Sequence, residues 1–194
     1  MSTFEPSADY LRERLLAIGD MATPFAQTLY RSATPAYARE SDLLKGEGSR
    51  LYGGRWNPIG VAVIYASLSP ETAMAETLAH CRYYGFPPQS AMPRTFVALH
   101  MRLSAVIDLT DGALRQRLRV SERRMMAVDW RQEMAAGQEP ITQRLGRAGF
   151  DAGFEGFFVR SAADRRGYNV LVFPDNLRPS STVEVVDAGQ LPHS

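Results

Sequence analysis

The chain has 194 residues and a mass of 21.6 kDa, with 45% hydrophobic, 22% charged and 10% aromatic residues. This composition predicts one soluble globular domain and excludes global disorder, a collagen-like repeat or a coiled coil. The formal net charge is +1, so no overall field directs the chain to nucleic acid or to an anionic membrane. The single cysteine, Cys81, excludes a disulfide framework and favours a reducing cytosol.

No segment of the sequence has the pattern of a targeting signal or a membrane span. The N-terminal residues are mixed in charge and contain no apolar stretch, so we expect no signal peptide. The longest unbroken apolar run, residues 61–66, is far shorter than the ~20 residues that a transmembrane helix needs. We therefore expect a cytoplasmic protein with no membrane partner.

The first part of the chain is predicted to hold one helix, one strand and a long loop. Asp9 can cap a helix that ends near Gly19, because apolar residues recur there at helical spacing. A strand is expected around residues 29–32. The polar stretch 38–57 is rich in glycine, which is typical of an extended loop.

The middle of the chain has a strand–turn–helix pattern. The β-branched run 61–67 predicts a strand, and Ser69 followed by Pro70 marks the start of a helix over residues 70–84. The elements predicted after it are a strand over residues 95–103, a helix from Asp111 to about residue 128, and a helix that begins at Pro140 and ends at Gly149.

The last part of the chain changes to short strands separated by turn residues. Three strands are predicted, at residues 154–159, 169–173 and 183–186. Because strands and helices do not alternate regularly, the pattern favours an α+β fold over a doubly wound sheet. With no internal repeat or long linker, we expect an N-terminal helical extension over residues 1–27 and a single globular domain over residues 28–194.

Several common cofactor motifs are absent from the sequence. The stretch 46–51 begins like a dinucleotide fingerprint, but Leu51 stands where the third glycine is needed, and no apolar strand precedes it. No GxxxxGK[ST] phosphate-binding loop occurs either. The histidines do not have the paired spacing of metal ligands, so no metal is expected; they are His80, His100 and His193.

The densest basic stretch extends from Arg115 to Arg131 and has two interpretations. An arginine-rich helix face can bind nucleic acid or an acidic partner. The interspersed acidic residues, which include Asp111, Glu122 and Asp129, favour a solvated face with i,i+4 ion pairs instead. Because the net charge is close to zero, we expect no direct nucleic-acid partner.

The most informative segment is Tyr52 to Glu76. Its glycine turn, Gly53-Gly54, presents Arg55 beside Trp56, so Arg55 is either a solvated turn residue or a ligand-binding cation. A rotation of about 100° per residue places Glu76 at the shoulder of the apolar arc of its helix. At that position it is either an ordinary solvated carboxylate or a partly desolvated one at the rim of a cleft.

Five groups of motifs follow one another along residues 28–175. They are Tyr30-Arg31-Ser32, Gly53-Gly54-Arg55-Trp56-Asn57, Tyr65-Ala66-Ser67 with Ala73-Met74-Ala75-Glu76, Gly149-Phe150-Asp151, and Arg160-Ser161-Ala162 with Gly167-Tyr168-Asn169. In this order they resemble the RES-domain toxins of RES-Xre type II toxin–antitoxin systems. The family is named after an arginine, a glutamate and a serine, which match Arg31, Glu76 and Ser161. Arg160 departs from the family pattern, in which a proline is expected before the serine.

The resemblance implies an ADP-ribosyltransferase-like fold of the diphtheria-toxin type, with a mixed, mostly antiparallel β core flanked by helices. It also implies that NAD+ is consumed as a substrate, with no metal. Glu76 and Arg31 would be catalytic, Glu76 facing the positive charge that develops on the ribose as the nicotinamide bond breaks. The residues implied to bind NAD+ through charge, ring stacking and a hydrogen bond are Arg31, Arg55, Tyr65, Tyr30 and Ser161.

The activity implied by the resemblance is that of a toxin which cleaves the nicotinamide–ribose bond of NAD+ and transfers ADP-ribose to a protein acceptor. An NAD+ glycohydrolase or phosphorylase shares the first step and differs only in the nucleophile, so both remain alternatives. A non-catalytic module that keeps an NAD-like cleft is a further alternative. The implied partner is a cognate Xre-type antitoxin that binds the toxin and obstructs the cleft.

Overall fold

The computed structural model describes residues 5–191 and, within them, has six strands and eight α-helices. The strands are β1 (Thr23–Ala33), β2 (Ile64–Ser67), β3 (Thr95–Asp108), β4 (Gly156–Arg160), β5 (Tyr168–Val172) and β6 (Thr182–Val185). The helices are α1 (Ala8–Ala17), α2 (Glu40–Leu44), α3 (Glu47–Tyr52), α4 (Pro70–Tyr83), α5 (Gly112–Leu118), α6 (Glu122–Ala127), α7 (Trp130–Ala135) and α8 (Ile141–Asp151). The predicted α+β class is confirmed.

The sheet closes on itself. Its strand order is β1-β2-β5-β4-β3-β6, and β1 also pairs with β3, so five strands form a ring to which β6 adds at β3. Only the β3–β4 pair is parallel among the strands described. The long strand β3 makes the closure of the sheet possible, because one of its edges pairs with β1 while the other edge pairs with both β6 and β4. The ring is completed between β1 and β2 at the pair Tyr30–Ser67.

Two hydrophobic clusters stabilise the two faces of the sheet. Alternation along the strands separates them: Phe157 of β4 joins one cluster, while its neighbour Phe158 packs against the other. The first cluster includes Leu11 of α1 and Leu145 of α8 and so lies under the helices. The second is formed mainly by strand residues and by Leu43 of α2.

The N-terminal helix begins earlier than predicted. Ser7, not Asp9, is its N-cap, and the Ser7 hydroxyl oxygen accepts a hydrogen bond from the Tyr10 amide at 3.2 Å. Leu11 and Leu15 of α1 are fully buried in the first cluster. Strand β1 then starts at Thr23, so the expected boundary at residue 27 falls inside a strand.

The prediction of an extended loop over residues 38–57 was wrong, because this stretch contains α2 and α3. Gly46 separates the two helices with a φ of 62°, a conformation that glycine adopts readily. A Cβ atom at Gly46 would lie 2.8 Å from the Val63 amide nitrogen, so the glycine also allows the backbone to approach β2 closely. Gly46 therefore connects two short helices, whereas the sequence analysis interpreted the glycines of this stretch as a sign of a loop.

The single helix predicted from Asp111 to residue 128 is two helices. Asp111 does cap α5, but Arg119 adopts a left-handed conformation with a φ of 56° and Ser121 starts α6. Helix α7, capped by Asp129, was not predicted. The breaks are only two or three residues long and contain no glycine or proline, the usual sequence signals of a helix end, which explains why the pattern did not show them.

Helix α8 does not end at Gly149, as predicted, but continues to Asp151. Gly149 is required for packing instead, since a Cβ atom there would lie 2.2 Å from Cζ of Phe157. By contrast, the helix predicted at residues 70–84 is confirmed as α4, with Ser69 as its N-cap. The strands predicted near residues 64, 95 and 156–185 are also confirmed, with shifted ends.

None of the helices in residues 5–191 is both long and apolar enough for a membrane crossing.

Candidate active site

A cavity of about 680 Å³ opens between the sheet and the helices α4 and α7. This volume is in the range of sites that hold small molecules and cofactors. Five of the six predicted site residues line it: Tyr30, Arg31, Arg55, Tyr65 and Glu76. They come from β1, the turn after α3, β2 and α4. The sixth, Ser161, is not on the cavity surface but contacts Glu76 from behind.

Helix α4 brings Glu76 to the cavity wall. The Ser69 hydroxyl accepts a hydrogen bond from the Thr72 amide at 3.1 Å, and Pro70 occupies the first turn, so the start of the helix is fixed. Ala73 and Cys81 are buried against the rest of the fold, and Glu76 between them is half-buried. The position at the shoulder of the apolar arc therefore corresponds to the rim of a cleft.

The carboxylate of Glu76 accepts two hydrogen bonds on the same oxygen. The Ser161 hydroxyl donates to Oε1 at 2.6 Å, and the side-chain amide of Asn169 donates to Oε1 at 2.8 Å. Asn169 also accepts a hydrogen bond from the Ser67 hydroxyl at 2.7 Å. Asn169 and Ser67 were not predicted as site residues. The available signal was the presence of polar residues inside strands that are otherwise apolar.

Arg31 and Arg55 supply positive charge to the cavity. Arg31 donates to the Leu43 carbonyl at 2.9 Å, and Arg55 donates to the Met125 carbonyl at 3.0 Å. Burial lowers the pKa of both guanidinium groups, and the negative charge of Glu76 partly offsets this effect on the pKa of Arg55. Arginine still stays charged in proteins, so these are partly desolvated cations next to an open cavity. Such cations favour an anionic ligand.

The turn that presents Arg55 is held together by Tyr65. The Tyr65 hydroxyl accepts a hydrogen bond from the Trp56 amide at 3.0 Å and donates one to Oδ1 of Asn57 at 2.7 Å. The Asn57 amide group donates in turn to the Ser49 and Val61 carbonyls, both at 2.8 Å. Burial raises the pKa of Tyr65. Tyr65 therefore lines the cavity with its ring and fixes the turn with its hydroxyl.

Comparison with known proteins places these motifs in a family. The model of the RES domain matches residues 28–193. The chain belongs to the RES domain family. The resemblance stated from the five groups of motifs is thereby confirmed.

The chain is similar to two further proteins, to one in sequence over a short segment and to one in fold. A segment of 60 residues of this RES domain is 43% identical to the Prs ADP-ribosylating toxin of Sphingobium sp. (strain YBL2). That segment spans 31% of this chain and 37% of the relative, so the match covers little more than a third of that protein. One chain in the crystal structure of the M. tuberculosis MbcT–MbcA toxin–antitoxin complex has the same fold, with a TM-score of 0.69 and 23% identity. The likeness covers 94% of this chain and 96% of that one.

An aromatic and basic cluster lies at the mouth of the cavity in this RES domain and was not predicted. The Arg131 guanidinium lies over the rings of Trp130 at 4.1 Å and Tyr83 at 4.7 Å, measured to the ring centroids. Nη2 of Arg131 also lies 3.1 Å from Nδ1 of His80. Burial and the positive charge of Arg131 lower the pKa of His80. These contacts join α7 to α4 across the cavity.

The arginine-rich stretch 115–131 forms ion pairs, but they connect different elements of the RES domain. Arg115 pairs with Glu122 at 3.2 Å, and Arg160 pairs with the same carboxylate at 3.1 Å. Arg124 is paired with Glu5. The predicted single helix is divided into α5 and α6, and none of these three ion pairs is an i,i+4 pair within one helix. Arg160, which stands where a proline was expected, also lies over the Tyr168 ring at 5.1 Å.

His80 and His100 are the two histidines that the structure describes. Within residues 5–191, no three His, Cys, Asp or Glu residues are grouped so that they could hold a metal ion. His100 lies 3.4 Å from the Thr28 hydroxyl and is not among the residues that line the cavity. His193 lies outside the described residues.

Proposed function

We propose that this RES protein is the toxin of a bacterial toxin–antitoxin pair with an ADP-ribosyltransferase-like fold, and that it cleaves the nicotinamide–ribose bond of NAD+ and transfers ADP-ribose to a protein. The observation that carries the proposal is that one cavity is lined both by the fixed carboxylate of Glu76 and by the partly buried cations Arg31 and Arg55. The name of the Sphingobium relative, an ADP-ribosylating toxin, supports the same reaction class.

Glu76 suits the first chemical step. When the bond between nicotinamide and ribose breaks, neutral nicotinamide leaves and positive charge develops on the ribose, as in glycoside cleavage. A carboxylate that is already oriented stabilises this charge without a cost of reorganisation. Glu76 would therefore face the ribose, and it could also orient the hydroxyl or amine of the acceptor that attacks the same carbon.

Arg31 and Arg55 suit the diphosphate of NAD+. A guanidinium carries five N–H donors, and each of these arginines uses one of them on a backbone carbonyl. The remaining donors can bind phosphate oxygens in two-point fashion. Tyr30 and Tyr65 line the same cavity and offer ring surfaces to the nicotinamide or adenine base.

A partner that controls the enzyme follows from the same proposal. One chain in the MbcT–MbcA toxin–antitoxin complex shares the fold of this protein over nearly its whole length. We therefore expect a cognate antitoxin of the Xre type, which would bind at the mouth of the cavity and keep NAD+ out. A protein with this activity and this partner would act in the cytoplasm.

The test is to incubate the purified protein with NAD+ labelled on the adenylate phosphate, with and without a bacterial cytosolic extract. The products are separated into labelled protein and labelled small molecules. The matched variants are Glu76→Gln, which removes the charge at the cavity, and Glu71→Gln, which removes an exposed charge from the same helix.

A labelled protein band that is lost in Glu76→Gln and kept in Glu71→Gln would support transfer to a protein. Free ADP-ribose or its phosphate ester, without a band, would make the protein a glycohydrolase or phosphorylase with the same first step. NAD+ that remains intact under all conditions would overturn the proposal and favour a binding module.

A further inference from the structure

The side-chain oxygens of both donors to Glu76 already accept other hydrogen bonds, which fixes the direction in which each side chain donates. A serine hydroxyl has one hydrogen and two lone pairs. The Ser161 oxygen accepts hydrogen bonds from the backbone amides of Ala163 at 3.1 Å and Asp164 at 3.0 Å. Both lone pairs are therefore used, and the one hydrogen is directed to Oε1 of Glu76 at 2.6 Å. Ser161 has nothing left to donate to a ligand.

The orientation of Asn169 is determined in a similar way. Its Oδ1 accepts a hydrogen bond from the Ser67 hydroxyl, so its NH2 group points to Glu76. The opposite orientation would put two acceptor oxygens in contact, because an ionised carboxylate cannot donate. Ser67 lies on β2 and Asn169 on β5, at directly paired positions, so the sheet itself sets this contact.

Both donors use the same oxygen of Glu76. Among the described residues, no hydrogen bond ends on Oε2. The terminal torsion of a glutamate is soft, so a carboxylate without such donors would rotate freely. With Oε1 held by Ser161 and Asn169, Oε2 is the oxygen that is left for a ligand in the cavity.

We propose that Ser161 and Asn169 are positioning residues that act through Glu76 and that Ser161 does not contact NAD+. This inference rests on the proposed function and revises the role of Ser161 that the resemblance implies. Ser161 is 5% exposed and does not line the cavity, whereas Glu76 and Asn169 do. Holding Oε1 directs Oε2 at the ribose, where the positive charge develops in the transition state.

A positioning role affects the rate more than binding. If Glu76 interacts mainly with the transition state, a misdirected carboxylate lowers kcat and leaves KM unchanged. We expect Ser161→Ala to reduce kcat on the order of 10²-fold, as small displacements of a catalytic group do. Asn169→Asp keeps the shape of the side chain but replaces the donor with a second negative charge, and it should reduce kcat at least as much.

The experiment measures nicotinamide release from NAD+ by chromatography for the full chain and these two variants. Ser7→Ala is the matched control, because Ser7 also accepts a backbone hydrogen bond but caps α1, and it should keep the wild-type kcat and KM. Thermal melting shows whether each variant is folded. If Ser161→Ala does not fold, Asn169→Asp still tests whether kcat depends on the donors that hold Glu76.

A second measurement separates positioning from binding without using activity. The affinity for NAD+ is measured by calorimetry in Glu76→Gln and in the double variant Glu76→Gln with Ser161→Ala. Equal affinities would support the proposal, since Ser161 then acts only through Glu76. Weaker binding by the double variant, or a raised KM with unchanged kcat in Ser161→Ala, would show direct contact with NAD+ and overturn it.

Failure of this inference is distinct from failure of the proposed function. A wild-type protein that releases nicotinamide, with a Ser161→Ala variant of unchanged kcat and KM, would overturn only the positioning role. A wild-type protein that neither binds nor cleaves NAD+ would overturn the proposed function, and with it any role of Ser161 and Asn169 in that reaction.

Discussion

The acidic and the basic parts of the cavity are built in different ways. Glu76 is held by two side chains, which come from the segment after β4 and from β5. Arg31 and Arg55 are each held by one backbone carbonyl, which belongs to α2 or α6. A side-chain contact depends on the identity of both residues, whereas a contact to a carbonyl depends only on where the main chain passes. The acidic part should therefore be sensitive to substitution of its supporting residues, and the basic part should tolerate it.

The largest effect is expected for Glu76→Gln. Glutamine keeps an acceptor oxygen for Ser161 and Asn169 but removes the charge that faces the ribose. We expect nicotinamide release to fall by roughly 10²–10³-fold, the usual cost of losing one electrostatic stabiliser of a transition state. The melting temperature should stay close to that of the wild type, because a half-buried carboxylate at a cavity contributes little to packing. Full activity in this variant would remove Glu76 from the mechanism.

A smaller but clear effect is expected for Arg31→Lys and Arg55→Lys. Lysine keeps the charge and loses the planar fork that binds phosphate at two points. Loss of one hydrogen bond to a charged group costs about 1.5–3 kcal/mol, which corresponds to a fall of roughly 10–150-fold in kcat/KM. Both KM and kcat should change if the arginines bind NAD+ in the ground state and in the transition state. The control is Arg147→Lys, whose side chain pairs with Glu139 away from the cavity. Unchanged kinetics would show that neither arginine touches the substrate.

Tyr65→Phe should lower the free energy of unfolding. The variant keeps the ring and removes the hydroxyl, so the Trp56 amide and the Asn57 oxygen lose their partner. An unsatisfied buried polar group costs about 1–3 kcal/mol, which for a domain of this size lowers the melting temperature by roughly 2–4 °C per kcal/mol. Tyr37→Phe, at a side chain that is 70% exposed, serves as the control and should melt like the wild type. A Tyr65→Phe protein of wild-type stability would mean that water replaces the hydroxyl.

The smallest effect is expected for Met125→Leu, which tests the tolerance of the basic part directly. Arg55 contacts the carbonyl of Met125 and not its side chain, so the hydrogen bond survives the substitution. Met125 is buried, and an exchange of methionine for leucine costs less than about 1.5 kcal/mol. We expect kcat/KM to be unchanged while Ser161→Ala is strongly impaired. Equal losses in the two variants would contradict the difference between the acidic and the basic parts.

Local patterns of the sequence were sufficient to predict α4 and the strands that carry part of the site. Ser69 and Pro70 define the start of α4, and helical periodicity from there places Glu76 beside the buried face. The strands β2, β4 and β5 were predicted from short apolar runs between turn residues. These predictions depend on neighbours within one or two helical turns, which the sequence displays directly.

The same patterns failed where a single residue changes the course of the chain. Gly46 allows a close approach to Val63, and Arg119 ends α5 in a left-handed conformation. Gly149 was interpreted as a helix end, but it makes room for Phe157. Val63 and Phe157 lie in other elements than Gly46 and Gly149, and the break at Arg119 contains no glycine or proline, so local reasoning could not detect these features.

The sequence by itself determined the class of the fold, the helix that carries Glu76, and the family to which the chain belongs. The tertiary structure alone decided which groups meet in the cavity. Ser161 and Asn169 lie 85 and 93 positions from Glu76, and Met125 lies 70 positions from Arg55. Such contacts depend on the pairing of β2 with β5 and of β5 with β4 and on the packing of α6, which are long-range events that no local period of the sequence encodes.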